Sequence, residues 1–332
     1  MTYKKKLIVL SGVIAALALA YILSIFFDPR NVSSRTDAYS WLDPAQIPLI
    51  SGITITNPGE EPIELANISG KWFVIQNRKN YPARHLRVED FIASLSKKAP
   101  FPLRSSSASS HEKLSLVESN ASRVVVSGGA GLPLLDLLIG SPDVTGRNVH
   151  MRKQGENEVR SGEDKFSAYI RSVPSSWYNL RLFPESEDGK IDVANIMQVA
   201  AYFPREEDAG DSIGASVPKV ISRKNKTWAF NFELNQPDMR MVDSYVRDVL
   251  NAAGSGFSED ALPESMFGHA RISLEIGNDS KDRIRTINFT PPNENDQCYA
   301  KVTGSDWIYI IPAWTMSRFF PDFGTFGAQT DL

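Results

Sequence analysis

The first feature of the hydrophobic pattern is an uncharged apolar run that follows a lysine cluster. Lys4–Lys6 precede Leu7–Phe27, a run of 21 residues. As a helix, this run would be about 30 Å long, which matches the hydrocarbon core of a bilayer. The lysines favour a cytoplasmic N-terminus. We therefore predict a cytoplasmic tail over 1–6 and a transmembrane helix that contacts membrane lipid from Leu7 to Phe27.

The same run also admits a second interpretation, a cleaved signal peptide. Ala18-Leu19-Ala20 is a small-residue pattern at which cleavage after Ala20 would fit. The apolar run continues over Tyr21–Phe27, which favours an uncleaved anchor. Both interpretations place residues 31 onward outside the cytoplasm. The prediction is a single-pass protein of the bacterial inner membrane, N-terminus inside, with most of the chain periplasmic.

Residues 28–50 have the composition of a stalk. Pro29, Pro44 and Pro48 interrupt the segment, and residues 31–37 are mostly polar. Such a composition disfavours long helices and strands. We predict a stalk over 28–50, with the folded part beginning at residue 51.

The next part of the chain predicts a β-rich module over 51–183. Residues 53–56 alternate between apolar and polar, as do the residues around Ile63 and Leu65, and a third apolar run follows at Trp72–Ile75. Three short strands with turn residues between them indicate an antiparallel meander. Residues 88–95 then place apolar side chains at i, i+3, i+4 and i+7, which predicts an inserted helix.

The second half of the chain repeats the order of the first. Trp72 recurs as Trp228, Arg123–Val126 as Arg271–Leu274, and the helix ending in Trp177 as Trp314–Phe320, at separations of about 150 residues. The predicted fold class is α+β, with a linker over 184–190 and a second β-rich module over 191–332. Two unrelated domains with a similar order of elements are the alternative.

Charge and composition restrict the classes of partner and cofactor. The chain has 36 basic and 39 acidic residues, a net charge of −3, which gives no basis for nucleic-acid binding. Its single cysteine, Cys298, excludes an intramolecular disulfide framework and multi-cysteine metal sites. The four histidines have no metal-ligand spacing. We expect no cofactor and no metal.

Motifs that could support catalysis are incomplete. Ser94–Lys97 and Ser110–Lys113 both match S-x-x-K, but the partner motifs S-D-N and K-T-G do not occur. Gly128–Gly131 lacks the lysine and hydroxyl residue of a phosphate-binding loop. Acidic loops at 206–211 and 293–296 lack the order of an EF-hand. We therefore predict a protein that is not an enzyme.

The C-terminal tail is aromatic and is interrupted by proline and glycine. It has two interpretations: a cap on the second core, or a segment that contacts a partner. The candidate partner-contact residues are Phe319, Phe320, Phe323 and Phe326.

Several motifs in their order along the chain resemble the family called domain of unknown function 4340 (DUF4340). They are Gly70-Lys71-Trp72, Tyr81-Pro82-Ala83, Leu138-Ile139-Gly140, Val149–Lys153 and Trp177. Two positions depart from the family pattern: Arg84 stands in place of its aspartate, and the tyrosine of its strand before Arg152 is replaced. The resemblance implies a membrane-tethered extracytoplasmic protein without assigned catalysis, and some members resemble auxiliary parts of gliding-type ABC transporter systems.

Three functions remain open from the sequence. The first is a non-enzymatic accessory or scaffold protein that partners an ABC-transporter-type membrane protein. The second is a module that binds an envelope polymer or a small ligand in a groove between the two modules. The third is an envelope hydrolase, which would require distant residues to converge in the fold.

Overall fold

The computed structural model describes residues 38–187, 189–203, 217–225, 227–277 and 284–327, together with Ile14, Leu17 and Tyr21. The chain divides into two compact units, Met1–Tyr178 and Asn179–Leu332, called unit 1 and unit 2 below. The described residues form three antiparallel sheets and a few helices, which confirms the α+β class.

The predicted cytoplasmic tail and the transmembrane helix Leu7–Phe27 lie outside the described residues, apart from three positions. Ile14, Leu17 and Tyr21 are helical, and their side chains are 59%, 64% and 68% exposed. No helix within the described ranges has both the length and the apolar character of a membrane span.

Over residues 38–178, unit 1 contains eleven strands and two α-helices. The strands are β1 (Ala38–Tyr39), β2 (Ile50–Thr56), β3 (Ile63–Ile68), β4 (Lys71–Gln76), β5 (Lys79–Pro82), β6 (Ala99–Pro100), β7 (Leu103–Ser105), β8 (Ser122–Gly128), β9 (Pro133–Pro142), β10 (Asn148–Lys153) and β11 (Val159–Glu163). The helices are α1 (His85–Ser96) and α2 (Ser167–Ile170). The main sheet has the order β5-β4-β3-β2-β8-β9-β10-β11-β7, and β1 pairs with β6 in a small second sheet.

Unit 2 contains one sheet of eight strands. The strands are β12 (Ile196–Tyr202), β13 (Lys219–Lys224), β14 (Thr227–Phe230), β15 (Gly256–Phe257), β16 (Ala270–Ile276), β17 (Ile284–Phe289), β18 (Gln297–Val302) and β19 (Ile308–Pro312). Its helices are α3 (Met239–Leu250) and α4 (Ala313–Phe319). The order of the sheet is β14-β13-β12-β16-β17-β18-β19-β15.

The two main sheets have the same strand order, except that β5 has no counterpart among the described strands of unit 2. The long helix follows the meander in both units, after β5 in unit 1 and after β14 in unit 2. A register break also falls at the same step: between Ile50 and Gly52 where β2 pairs with β8, and between Ile196 and Gln198 where β12 pairs with β16. A tandem repeat predicts that the strand order and the position of this register break agree between the two units, as they do here.

The long helices of the two units bury the same stripe of positions. Both α1 and α3 have 12 residues, and each buries five of them at helical spacing. The buried positions are Val88, Phe91, Ile92, Leu95 and Ser96 in α1, and Val242, Tyr245, Val246, Val249 and Leu250 in α3. The apolar face of each helix therefore supplies the core of its own unit.

A backbone contact before each helix identifies the true counterpart of Trp177. The N–H of Arg84 donates to the carbonyl oxygen of Trp177 (2.8 Å), and the N–H of Asp238 donates to that of Phe326 (2.8 Å). The residue after each of these aromatic residues also forms a β-bridge to the residue before the helix cap. The counterpart of Trp177 is therefore Phe326, and the sequence-based match with Trp314–Phe320 was wrong.

Two segments predicted as connections belong to the fold. Within the predicted stalk 28–50, β1 pairs with β6, and Trp41 and Leu42 are 3% and 0% exposed. The predicted linker 184–190 lies within unit 2, which begins at Asn179, and so do the buried Leu182 and Phe183, which were predicted to end the first module. Pro44 and Pro48 occur in a 3-10 helix, Pro44–Leu49, and proline is tolerated at the first position, that of Pro44. Pro29 lies outside the described residues.

Candidate functional site

The C-terminal aromatic tail lies in the core of unit 2. Phe319 and Phe323 are 1% exposed and Phe326 is 5% exposed, whereas Phe320 is half-buried. The tail therefore caps the second core, and the predicted partner contact is corrected: three of its four rings have almost no surface to offer. Their burial is local, because the rings pack against side chains of α3 and β17 in the same unit.

Local hydrogen bonds hold this cap in place. The Asp322 carboxylate accepts from the N–H of Gly324 (2.9 Å) and starts the 3-10 helix Phe323–Phe326. The hydroxyl of Tyr245 on α3 donates to the carbonyl oxygen of Phe319 (3.0 Å). Burial raises the pKa of Tyr245, so this hydroxyl stays protonated and remains a donor.

One lysine is surrounded by aromatic rings at the edge of this cap. The Nζ atom of Lys219 lies 5.3 Å from the ring centre of Phe203, 5.6 Å from that of Phe232 and 5.5 Å from that of Phe323. The ring of Phe323 contacts both other rings, with centroid distances of 5.8 Å to Phe203 and 5.4 Å to Phe232. We call these three rings the phenylalanine cage.

Lys219 is on the core-facing side of its strand. It is two residues before Ile221, which is fully buried, and alternate residues of a strand share a face. Within the described ranges, no carboxylate forms an ion pair with Lys219, so the rings are its charge partners there. Phe323 forms the buried floor of the cage, whereas Phe203, Phe232 and Lys219 itself keep partial exposure.

Unit 1 has no such cage at the equivalent positions. Lys219 pairs with Ala201 across β12 and β13, and Ile63 pairs with Ile55 at the same step of β2 and β3. Ile63 is 2% exposed, as an ordinary core residue. The positions that match the three rings are occupied by Asn57, Gln76 and Pro174. The fold therefore does not require a lysine or a cage at this place.

The four histidines lie on four different elements or connections of the chain. His85 pairs with Glu89 on the surface of α1 (3.0 Å), and His111 Nε2 lies 3.2 Å from the carbonyl oxygen of Asn157. Burial lowers the pKa of His150 on β10, with Arg104 adding to the effect, and burial lowers that of His269 before β16. Among the described residues, no group of three or more His, Cys, Asp or Glu side chains is placed to bind a metal.

The remaining sequence motifs serve local structure. Ser94 and Ser110 of the two S-x-x-K matches donate to the backbone carbonyls of Phe91 (2.6 Å) and Ser107 (2.8 Å). The acidic segment 206–211 lies outside the described residues. In the second acidic loop, the side chain of Asn293 accepts from the N–H of Asn295 (2.9 Å), which is an ordinary turn contact. Burial raises the pKa of Cys298, which keeps its thiol protonated.

Two residues of the family motifs hold the connection between β7 and β8 onto the sheet of unit 1. Arg152 is 8% exposed, and its Nε donates to the carbonyl oxygen of Leu116 (3.0 Å). Gly140 lies under the same connection, and a Cβ atom there would be 2.1 Å from the carbonyl oxygen of Leu114. These residues are structural, since their partners are backbone atoms.

The fold defines the class of this protein, an α+β protein made of two β-rich units with the same strand order. The chain belongs to the family described as Domain of unknown function (DUF4340), which matches residues 72–252, more than half of its length. The match runs from the first residues of β4 in unit 1 to just beyond α3 in unit 2. No curated protein and no solved structure matches the chain.

Proposed function

We propose that the chain is a non-enzymatic accessory or scaffold protein, anchored in the bacterial inner membrane, that partners an ABC-transporter-type membrane protein. The observation that carries this proposal is the lysine cluster Lys4–Lys6 followed by the uncharged run Leu7–Phe27. Helical, exposed and apolar residues within this run, such as Ile14 and Leu17, support a segment that contacts lipid. The folded units then lie outside the cytoplasm.

An exposed aromatic residue on unit 2 supports contact with a protein partner. Trp314 on α4 is 62% exposed, and the guanidinium of Arg318 lies 4.9 Å from its ring centre. Tryptophan and arginine are the residues that most often dominate protein–protein interfaces. The position of Trp314 in unit 1 is occupied by Lys165, which pairs with Glu163 (3.0 Å), as is common on a solvated surface. We place the partner contact at Trp314 instead of at the buried phenylalanines.

The topology is tested with reporters fused after Leu332. We expect alkaline phosphatase, which is active only outside the cytoplasm, to be active, and a reporter that is fluorescent only in the cytoplasm to be dark. The reverse pattern would overturn the proposal. N-terminal sequencing of the membrane fraction tests the anchor separately, because a mature chain that starts at Tyr21 would show cleavage after Ala20.

The accessory role is tested by crosslinking and purification of the full chain from its native host. We expect identified ATP-binding and permease subunits among the crosslinked proteins, and genes for such subunits next to the gene for this chain. Trp314→Ala should reduce the crosslinks, whereas Val173→Ala should not, since Val173 is 63% exposed on unit 1 and serves as the matched control. Recovery of no transporter subunit, together with hydrolase activity of the purified chain, would replace the proposal.

A further inference from the structure

The phenylalanine cage has the composition of a site for an organic cation. The negative face of an aromatic ring attracts a cation within about 6 Å of its centre, and several rings together form the cages that recognise quaternary and methylated ammonium groups. Three rings lie 5.3, 5.6 and 5.5 Å from one ammonium nitrogen here. Each distance is within the range in which this attraction is significant.

The comparison between units argues that the cage is more than core packing. Unit 1 closes the same place with Ile63, at 2% exposure and without aromatic neighbours at the matching positions. An apolar side chain is therefore sufficient for this fold. Unit 2 differs at all four positions together, and the four differences complement one another chemically: one cation and three rings.

The cage is also accessible from solvent. Phe203 and Phe232 are half-buried, and Phe323 closes the inner end at 1% exposure. The ammonium group that now occupies the cage belongs to the protein itself, to Lys219, which is the first residue of β13. A flexible lysine stem can withdraw its ammonium group to water without a change in the strand that carries it.

We propose that the phenylalanine cage of unit 2 is a binding site for organic ammonium groups, of the quaternary or methylated amine class, and that Lys219 occupies it in the free protein. This inference does not depend on the accessory role. An external ammonium group binds only when Lys219 has left, so the apparent affinity falls in proportion to the open fraction. Removal of the lysine amine should therefore increase affinity.

The experiment is a titration of the full chain with tetramethylammonium chloride, followed by calorimetry, with sodium chloride at equal concentration as the ionic-strength control. We expect Lys219→Ala to bind at least tenfold more tightly than the wild type. Lys219→Met is the matched control, because its apolar side chain fills the cage, and it should bind no more tightly than the wild type. Phe232→Leu added to Lys219→Ala should weaken binding at least threefold.

A second measurement covers the case in which Lys219→Ala does not fold. Ring resonances of Phe203 and Phe323 in labelled wild-type protein should shift with tetramethylammonium and not with sodium. Choline and phosphatidylcholine vesicles then distinguish a soluble amine from a lipid headgroup, and binding of either supports the site. The proposal is overturned if folded Lys219→Ala binds no more tightly than Lys219→Met, or if the wild-type ring resonances respond equally to both salts.

Discussion

Unit 1 and unit 2 share a backbone plan and differ in how they place charge. Both use one long helix with five buried positions, a register break where β2 pairs with β8 or β12 with β16, and a contact from the helix cap to Trp177 or Phe326. At the equivalent strand position, however, unit 1 buries Ile63 and unit 2 places Lys219 among three rings. The comparison shows that the shared apolar pattern is enough for the fold. At this one strand position, the fold accepts either an apolar side chain or a charged one.

A second difference concerns the connection that leads to β8 in unit 1 and to β16 in unit 2. In unit 1 the connection between β7 and β8 packs closely over Gly140, and the segment just before β7, at Phe101, packs closely over Gly162. The equivalent residues of unit 2 are Thr290 and Ile311, at 1% and 0% exposure. In unit 1, backbone atoms and Phe101 fill the space above the two glycines. In unit 2, the side chains of Thr290 and Ile311 occupy the equivalent space.

The largest expected effect comes from exchanging the residues that distinguish the units. Ile63→Lys should lower the free energy of unfolding by about 3–5 kcal/mol, because it buries a charge without a partner. Lys219→Ile should change it by no more than about 1 kcal/mol, since lost cation–π contacts are offset by apolar burial. Urea unfolding of the full chain measures both. If the two variants lost equal amounts of unfolding free energy, the two units would not differ at this position in the way that we describe.

The glycine variants have the next largest effect. Gly162→Ala should cost about 2–3 kcal/mol, because its Cβ would lie 2.2 Å from the ring of buried Phe101. Gly140→Ala should cost at least as much, since its obstacle is a backbone carbonyl at 2.1 Å. The same urea series measures these losses. Ile311→Val is the control in unit 2, with a cost of about 1 kcal/mol, and a smaller loss for the glycine variants than for this control would be inconsistent with the described packing.

Much of this plan could be predicted from the sequence, because strand alternation and the helical stripe at 88–95 are local signals. The boundaries could not be predicted in this way. Trp41 and Leu42 are followed closely by two prolines, so the segment was interpreted as a stalk, and only the pairing of β1 with β6 shows its place in the core. The sequence does not identify the counterpart of Trp177, because that counterpart is a phenylalanine, Phe326. The feature that the two units share here is a backbone hydrogen bond.

The cage was also missed, and a signal for it was present. Lys219 and Ile221 have the alternation that Ile63 and Leu65 have in the first meander, so extending the repeat to these strands would have aligned a lysine with a core isoleucine. The rings come from three distant segments, residues 203, 232 and 323. Their convergence on one nitrogen atom depends on the tertiary fold, which no local pattern contains.

A smaller effect distinguishes the two helix caps by pH. The carboxylate of Asp238 caps α3 by accepting from the N–H of Arg240 (2.9 Å), whereas Arg84 before α1 makes no side-chain cap bond. Hydrogen bonds from the Arg240 side chain hold the pKa of Asp238 below its ordinary value. A carboxyl group whose pKa is lowered by folding stabilises the folded state when the pH is above its ordinary pKa. This contribution is lost as the pH falls through the lowered pKa.

Asp238→Asn should therefore lower the urea midpoint more at pH 7 than at pH 2, because asparagine keeps the cap and removes the charge. Arg84→Ala is the control in unit 1, and its difference from the wild type should not depend on pH in this acidic range. A loss for Asp238→Asn that is the same at both pH values would exclude the charge as its cause.

The smallest expected effect concerns equivalent arginines on β8 and β16. Arg123 pairs with Asp136 (2.6 Å) in unit 1, whereas the guanidinium of Arg271 lies 4.0 Å from the ring centre of Tyr202 in unit 2. Asp136→Asn should cost about 1 kcal/mol or less, because the pair is partly exposed, and 1 M salt should reduce this cost. Tyr202→Leu should respond less to salt. If salt changed the effect of Tyr202→Leu more than that of Asp136→Asn, the ion pair would not be the more salt-sensitive of the two contacts.

The central claim, that one backbone plan occurs twice, is tested most directly by cross-strand nuclear Overhauser effects in the full chain. The account predicts contacts between Ile53 and Val126 and between Val199 and Leu274, with a register break two residues before each pair, at Ser51 and at Met197. The same spectra should connect Arg84 to Trp177 and Asp238 to Phe326. A neighbour of β12 other than β13 and β16, or a break at Ser51 without one at Met197, would contradict it.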